Sequence, residues 1–168
     1  MRQLGKWTRV LALTLLLLQV TGCGIYSFSG AAPSHIKSIA VPPFDNQTAE
    51  FGLAQDLADA LIEEFVDDNT FKVYDLRQSD SVLYGTIVRV NDAPNTITAS
   101  EAVEEYKVTI TVRIRYEDLV KGKVVWEETI SAFGIFPAGG GLAEREAGVE
   151  EATKKLTEDI LNKTVSGW

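Results

Sequence analysis

The side chains that most often act as catalytic nucleophiles or bases are almost absent from this chain. Its 168 residues include one histidine, His35, and one cysteine, Cys23. Nucleophilic catalysis by Ser or Cys usually needs a histidine within hydrogen-bonding reach of the nucleophile. His35 comes at the predicted start of the first strand, where we expect a plain surface residue. The sequence therefore disfavours a hydrolase.

Acidic and glycine-rich motifs could bind a metal ion or a phosphate. Four adjacent acidic pairs occur at Asp67-Asp68, Glu104-Glu105, Glu127-Glu128 and Glu150-Glu151. Neighbouring side chains point to opposite faces of a strand and diverge on a helix, so each pair makes a poor chelate. Gly139-Gly140-Gly141 precedes a predicted helix but lacks the Lys-Ser/Thr of a P-loop. We predict solvated surface, a flexible loop, no metal and no cofactor.

A group of basic residues could bind an anion. Apolar and polar residues alternate through Glu105–Leu119, which is typical of a strand with one buried and one exposed face. Three of these basic residues lie on the exposed face of this strand: Lys107, Arg113 and Arg115. Arg89 of the preceding strand joins them if its side chain points the same way. These cations could pair across strands with Glu127 or Glu128. Alternatively, they could bind the phosphates of an anionic lipid head group, because a guanidinium can donate two parallel hydrogen bonds to a phosphate.

The N-terminal segment has the features of a secretory signal. Three basic residues precede an apolar run over Val10–Leu18, which is shorter than the ~20 residues that a bilayer requires. The solitary Cys23 directly follows Thr21-Gly22, which resembles a bacterial lipobox, where the cysteine is lipidated and becomes the first mature residue. We predict a lipoprotein signal peptide at 1–22, lipidation of Cys23 and a lipidated tether over 23–34. The alternative is an ordinary signal peptide with an incidental cysteine.

Two further features bear on location and partners. The residue after the cysteine is Gly24; an Asp there tends to retain lipoproteins of enteric bacteria at the inner membrane, so the sequence favours the outer membrane. The formal net charge is −8, and all 24 acidic residues follow the predicted signal. Such a chain is repelled by nucleic acid and has no basic stripe with interleaved aromatics, so we exclude nucleic acid as a partner.

Hydrophobic periodicity predicts the elements that position these residues. In chain order they are a strand at His35–Phe44, a helix at Glu50–Val66, a short strand at Phe71–Tyr74, a strand at Ser81–Val90, a polar loop at Asn91–Ser100, strands at Glu105–Leu119 and Val124–Ile135, and a helix at Leu142–Val165. Adjacent strands with a helix near each end indicate an α+β fold. We predict one domain over 35–168, a two-layer sandwich with a mixed, roughly four-stranded sheet and two helices packed on one face.

Several segments of the chain resemble the LptE family of lipopolysaccharide (LPS)-assembly lipoproteins, in its branch outside the enteric bacteria. They are Cys23–Gly30 (CGIYSFSG), Ile36–Thr48 (IKSIAVPPFDNQT), Asp80–Ile87 (DSVLYGTI), Tyr106–Val108 and Trp126-Glu127. The likeness covers nearly all of the predicted mature chain. The family fold is a four-stranded sheet with two helices on one side, which agrees with the elements predicted above.

The resemblance implies a role without enzymatic activity. Members bind and support, or plug, the LptD-type β-barrel translocon that inserts LPS into the outer leaflet. The implied partners are this barrel, LPS and, through the lipid anchor, the outer membrane, with the domain facing the periplasm or the translocon lumen. The expected LPS contacts are the basic residues Arg89, Lys107, Arg113 and Arg115. Because the chain is acidic, any such contact must be local.

A second resemblance points to a different class of function. The segment Ile39–Phe44 also resembles the opening of TolB amino-terminal and CsgG-like domains. Those domains act as scaffolds, activators or secretion pores. An envelope scaffold or secretion-related lipoprotein is therefore the alternative that the sequence leaves open.

Overall fold

The computed structural model describes residues 34–97 and 102–166. The predicted signal peptide, Cys23 and all but the last residue of the predicted tether lie outside these residues. The described elements are β1 Ser38–Ala40, β2 Asp45–Asn46, α1 Leu53–Asp68, β3 Lys72–Val73, β4 Ser81–Ile97, β5 Val103–Asp118, β6 Lys123–Pro137 and α2 Leu142–Ser166. Neither described helix combines the length and the apolar composition needed to cross a bilayer.

The strands form one mixed sheet, which confirms the predicted α+β class. Their order is β3-β1-β4-β5-β6, and β2 pairs with β4 beside β1. The pairs that involve β1 and β2 are parallel, whereas β4–β5 and β5–β6 are antiparallel. The sheet has six strands instead of about four because the two-residue strands β2 and β3 belong to it, and β1 is separated from β2 at Pro42-Pro43. Neither proline can donate a ladder hydrogen bond, so the strand is interrupted there.

The core lies between the sheet and the two helices. The side chains on one face of β5 are fully buried: Val108, Ile110, Val112, Ile114 and Tyr116. All of them except Val108 belong to one apolar cluster with residues of α1 such as Leu57 and Leu61 and residues of α2 such as Leu156 and Ile160. The alternation predicted for this strand is confirmed, and both helices pack on the same face of the sheet. We call the opposite face, which no described helix covers, the open face.

The predicted polar loop at Asn91–Ser100 is wrong over most of its length. Strand β4 continues to Ile97 and pairs with β5 along the whole extension. This part of β4 lies beyond the core and buries no face, so its sequence lacks the alternation of apolar and polar residues. Pro94 is accommodated beside a register shift, where β4 has no strand on its other side.

Candidate functional site

The open face presents the polar residues of β5 together with their cross-strand partners. Its centre is formed by Thr109 and Thr111 of β5, with Asn91 of β4 and Ser131 of β6 beside them. The hydroxyl oxygens of Thr111 and Ser131 lie 2.9 Å apart and form a hydrogen bond across the strands. Because successive strand residues point to opposite faces, the same backbone that buries Ile110 exposes these hydroxyls.

A β-bulge places Arg89 on the open face. Ile87 is paired with Val112, but the next pair is Arg89 with Thr111, so Val88 is the extra residue of the bulge. Without the bulge, Val88 would lie opposite Thr111, and Arg89 would point to the helix side. Bulges commonly redirect a side chain in this way. Gly85 on the same strand allows a close approach of the Phe44 ring, because a Cβ there would lie 2.2 Å from that ring.

Three of the four predicted basic residues come together. Arg113 lies two residues from Thr111 along β5 and is therefore a diagonal neighbour of Arg89, at about 7–8 Å. Arg115 follows on the same face, about 7 Å further along the strand. We call Arg89, Arg113 and Arg115 the arginine cluster; all three side chains are exposed.

The cluster is only partly neutralised by acidic residues. Arg115 Nε lies 2.5 Å from Glu117 Oε1 on the same strand. The cross-strand pairs that the sequence allowed do not form: Glu127 lies opposite Arg115 without an ion pair among the described residues, and Glu128 pairs with Lys163 of α2. Within 34–97 and 102–166, no ion pair engages Arg89 or Arg113. These two guanidinium groups can therefore bind an external anion.

Lys107 lies apart from the arginine cluster. It is six residues from Arg113 along β5, which is roughly 20 Å at the rise of an extended strand. Its Nζ lies over the ring of Phe133, 5.6 Å from the centroid. Lys155 reaches the same ring from α2, at 5.0 Å, and donates a hydrogen bond of 3.0 Å to the Phe133 carbonyl. The predicted set of four basic residues is thus a cluster of three and a separate lysine–aromatic contact.

His35 is not the plain surface residue that the sequence predicts. Its side chain is about three-quarters buried, and Nε2 lies 2.7 Å from Oδ2 of the buried Asp118. The other carboxylate oxygen accepts a hydrogen bond from the backbone N–H of Lys121, at 2.9 Å. Burial raises the pKa of Asp118, but the donors Lys121 and His35 outweigh it and the pKa lies below its usual range. The pair joins the start of the described chain to the β5–β6 turn.

The glycine-rich segment before α2 is closed to anions by the chain itself. Glu144 Oε2 accepts a hydrogen bond of 2.7 Å from the backbone N–H of Gly141. A carboxylate at a helix N-terminus occupies the position that a bound phosphate would take. Within the described part of the chain, no group of three or more His, Cys, Asp or Glu residues has the geometry to hold a metal ion.

Sequence reasoning missed the ion pairs of Arg145, which join three distant elements. Its guanidinium lies 2.6 Å from Glu50, before α1, and 2.7 Å from Asp92 on the β4 extension. The hydrogen bonds that Arg145 donates to Glu50 and Asp92 raise the pKa of its guanidinium above the usual value. No local pattern reveals this contact, because the three residues come together only in the folded chain.

A sequence comparison places this chain in a family. A sequence profile of LptE, described as lipopolysaccharide-assembly, matches residues 36–164. The chain belongs to the LptE family. Membership places it in lipopolysaccharide assembly, as an outer-membrane-associated lipoprotein. No curated protein matches the chain in sequence.

Solved structures show the same fold at low sequence identity. Protein XCC0632 from Xanthomonas campestris has a TM-score of 0.61 at 14% identity, over 80% of this chain and 89% of that chain. The hypothetical protein CT253 from Chlamydia trachomatis has a TM-score of 0.58 at 8% identity, over 77% and 98%. Lipoprotein B from Nitrosomonas europaea has a TM-score of 0.50 at 16% identity, over 87% and 92%. These likenesses bear on the fold alone.

Proposed function

We propose that this LptE-family chain binds and supports an LptD-type β-barrel translocon and contacts LPS through the arginine cluster. In this role it is a non-enzymatic lipoprotein, anchored at Cys23 and facing the periplasm or the translocon lumen. The proposal rests on family membership together with one observation: Arg89 and Arg113 lie close together and have no ion-pair partner among the described residues.

The chemistry of the cluster suits phosphate groups. A guanidinium presents several N–H donors in a planar fork that matches phosphate oxygens, and it stays charged at any relevant pH. Neighbouring arginines about 7–8 Å apart can bind two phosphates, or two oxygens of one group, at the same time. Because the whole chain carries a net charge of −8, attraction to anionic LPS must come from this local surface.

The open face also suits a large protein partner. It spans the three long strands and includes partly exposed apolar side chains, namely Tyr84, Phe133 and Ile135. Apolar residues among polar ones on an uncovered surface are typical of interaction sites. A stable complex buries roughly 1,200 Å² or more in total, which a face of this length can provide.

A binding titration with matched charge reversals tests the LPS contact. Arg113→Glu should weaken binding to purified LPS about tenfold or more, since hydrogen bonds to charged groups contribute roughly 1.5–3 kcal/mol. Lys154→Glu makes the same charge change on an exposed position of α2 and should leave the affinity nearly unchanged. Raising the salt concentration should weaken wild-type binding and reduce the difference between the two variants. Equal affinities for Arg113→Glu and Lys154→Glu would remove the cluster from the proposal.

A further inference from the structure

The turn between β5 and β6 has an unusual composition for a hairpin turn. Leu119 is 37% exposed, Val120 59% and Val124, just inside β6, 42%. Turns normally use Gly, Asn, Asp, Pro or Ser, each for a backbone reason. Here Gly122, at φ 61°, meets the backbone requirement. The exposed aliphatic side chains therefore have no role in forming the turn.

Two lysines lie between these apolar residues. Lys121 and Lys123 are exposed, and no described residue forms an ion pair with either. The acidic residues next to them are already engaged: Glu117 pairs with Arg115, and Asp118 is buried against His35. The turn thus exposes aliphatic carbon and two lysines that form no ion pair among the described residues, on an acidic protein.

The turn is held beside the start of the described chain. The 2.7 Å contact between His35 and Asp118 joins the two directly, and the Leu119 N–H donates a hydrogen bond of 2.8 Å to the Asp80 carbonyl. The chain from Cys23 to Ser34 spans at most roughly 40 Å even when fully extended. A lipid at Cys23 would therefore keep Ser34, which lies at this end of the domain, within roughly 40 Å of the leaflet.

We propose that residues 119–124 contact the head-group region of an anionic phospholipid leaflet beside the anchor. For the position of the leaflet, this inference rests on the proposed lipidation of Cys23. Aliphatic side chains enter the boundary between head groups and acyl chains, while lysines extend their amines to lipid phosphates. The contact gives the tethered domain a fixed orientation.

An environment-sensitive fluorophore at position 120 tests this contact. Lipidation would consume the single native cysteine, so Val120→Cys provides one thiol for labelling. The lipidated full-length variant is reconstituted into vesicles of phosphatidylethanolamine and phosphatidylglycerol. The matched control is Leu142→Cys, which is 71% exposed at the opposite end of the domain. We expect blue-shifted emission and quenching by nitroxide-labelled lipid at 120, and neither effect at 142.

Charge reversal and a second tether separate the possible outcomes. Lys121→Glu with Lys123→Glu should abolish most of the lipid quenching at 120. Equal quenching of both labels by aqueous iodide would overturn the proposal, as would a blue shift at 120 that appears only with a barrel protein present. If the chain does not float with vesicles, the anchor has failed. The fluorescence is then measured on the mature chain with Cys23→Ser, which an N-terminal His-tag holds on nickel-chelating lipid in the same vesicles. Lipid quenching at 120 alone again supports the contact, and equal iodide quenching of both labels again overturns it.

Discussion

Gly134 of β6 lies directly against Gly148 of α2. A Cβ on Gly134 would be only 1.9 Å from the carbonyl oxygen of Gly148. The helix continues along this edge strand: Glu151 accepts a hydrogen bond of 3.1 Å from the Ile135 N–H, and Lys155 donates one to the Phe133 carbonyl. This close contact holds α2 on one side of the sheet and leaves the open face to other partners.

Replacing Gly134 should therefore disrupt helix docking. Gly134→Ala should destabilise the protein by roughly 2 kcal/mol or more, because the clashing atom is backbone and cannot move aside cheaply. Gly139→Ala is the matched control, since nothing lies within 4 Å of a Cβ there, and we expect a change within about 0.5 kcal/mol. Urea unfolding of both variants measures the difference. Similar losses would mean that the two glycines do not differ in packing.

Adjacent residues of β5 should differ sharply in their contribution to stability. Ile110 is fully buried, so Ile110→Ala should cost roughly 2–4 kcal/mol by loss of burial and creation of a cavity. Thr111 lies on the open face, so Thr111→Ala should cost well under ~1 kcal/mol. Urea melts report both free energies of unfolding. Equal costs would indicate that both faces of β5 are buried, in conflict with a one-sided sheet.

Tyr116 should make stability fall at alkaline pH. Burial raises its pKa to about 12, although its hydroxyl donates a hydrogen bond of 3.0 Å to Ser81. Since the unfolded pKa is about 10, this group favours folding below pH ~10 and loses that effect as the pH rises toward 12. The loss from this residue alone is roughly 1.4 kcal/mol at pH 11. Tyr116→Phe should show a smaller decline between pH 8 and 11; an identical decline would refute the assignment.

Cys23 should determine the fractionation of the protein. Cys23→Ala removes the proposed lipid attachment site, so we expect release into the soluble periplasmic fraction or a stalled precursor. Cell fractionation with a high-salt wash measures this, and a Ser27→Ala variant in the predicted tether provides the control. A Cys23→Ala chain that is cleaved and stays with membranes in high salt would place the anchor elsewhere.

The sequence predicted those parts of the fold where one face is buried. The alternation around Ile110 and the apolar stripe around Leu57 were enough to place β5, α1 and the two-layer arrangement. The polar extension of β4 could not be recognised, because its hydrogen-bonding partner, not its own residues, determines its conformation. The bulge at Val88, which brings Arg89 to Arg113, depends on register, and register is a property of the strand pair.

The geometry of the candidate site could not be predicted from the sequence for the same reason: it depends on contacts between distant parts of the chain. Lys107 and Arg113 share a face of β5 because they lie an even number of positions apart. The alternating pattern predicts that shared face, but it does not by itself bring the two side chains together, and roughly 20 Å separates them along the strand. The contacts of Arg145 with Glu50 and Asp92 depend on the arrangement of three elements. The family resemblance supplied what the residue patterns could not, since it predicted a role in lipopolysaccharide assembly without any knowledge of the site geometry.

Co-purification from outer membranes tests the central proposal most directly. The tagged chain is crosslinked in cells, extracted in mild detergent and captured, and large membrane proteins in the captured fraction are identified by mass spectrometry. A variant with Arg113→Glu reports whether the barrel contact is separate from LPS binding. Our account predicts a stoichiometric LptD-type β-barrel with the wild-type chain and with Arg113→Glu. Capture of the chain without any such barrel would contradict it.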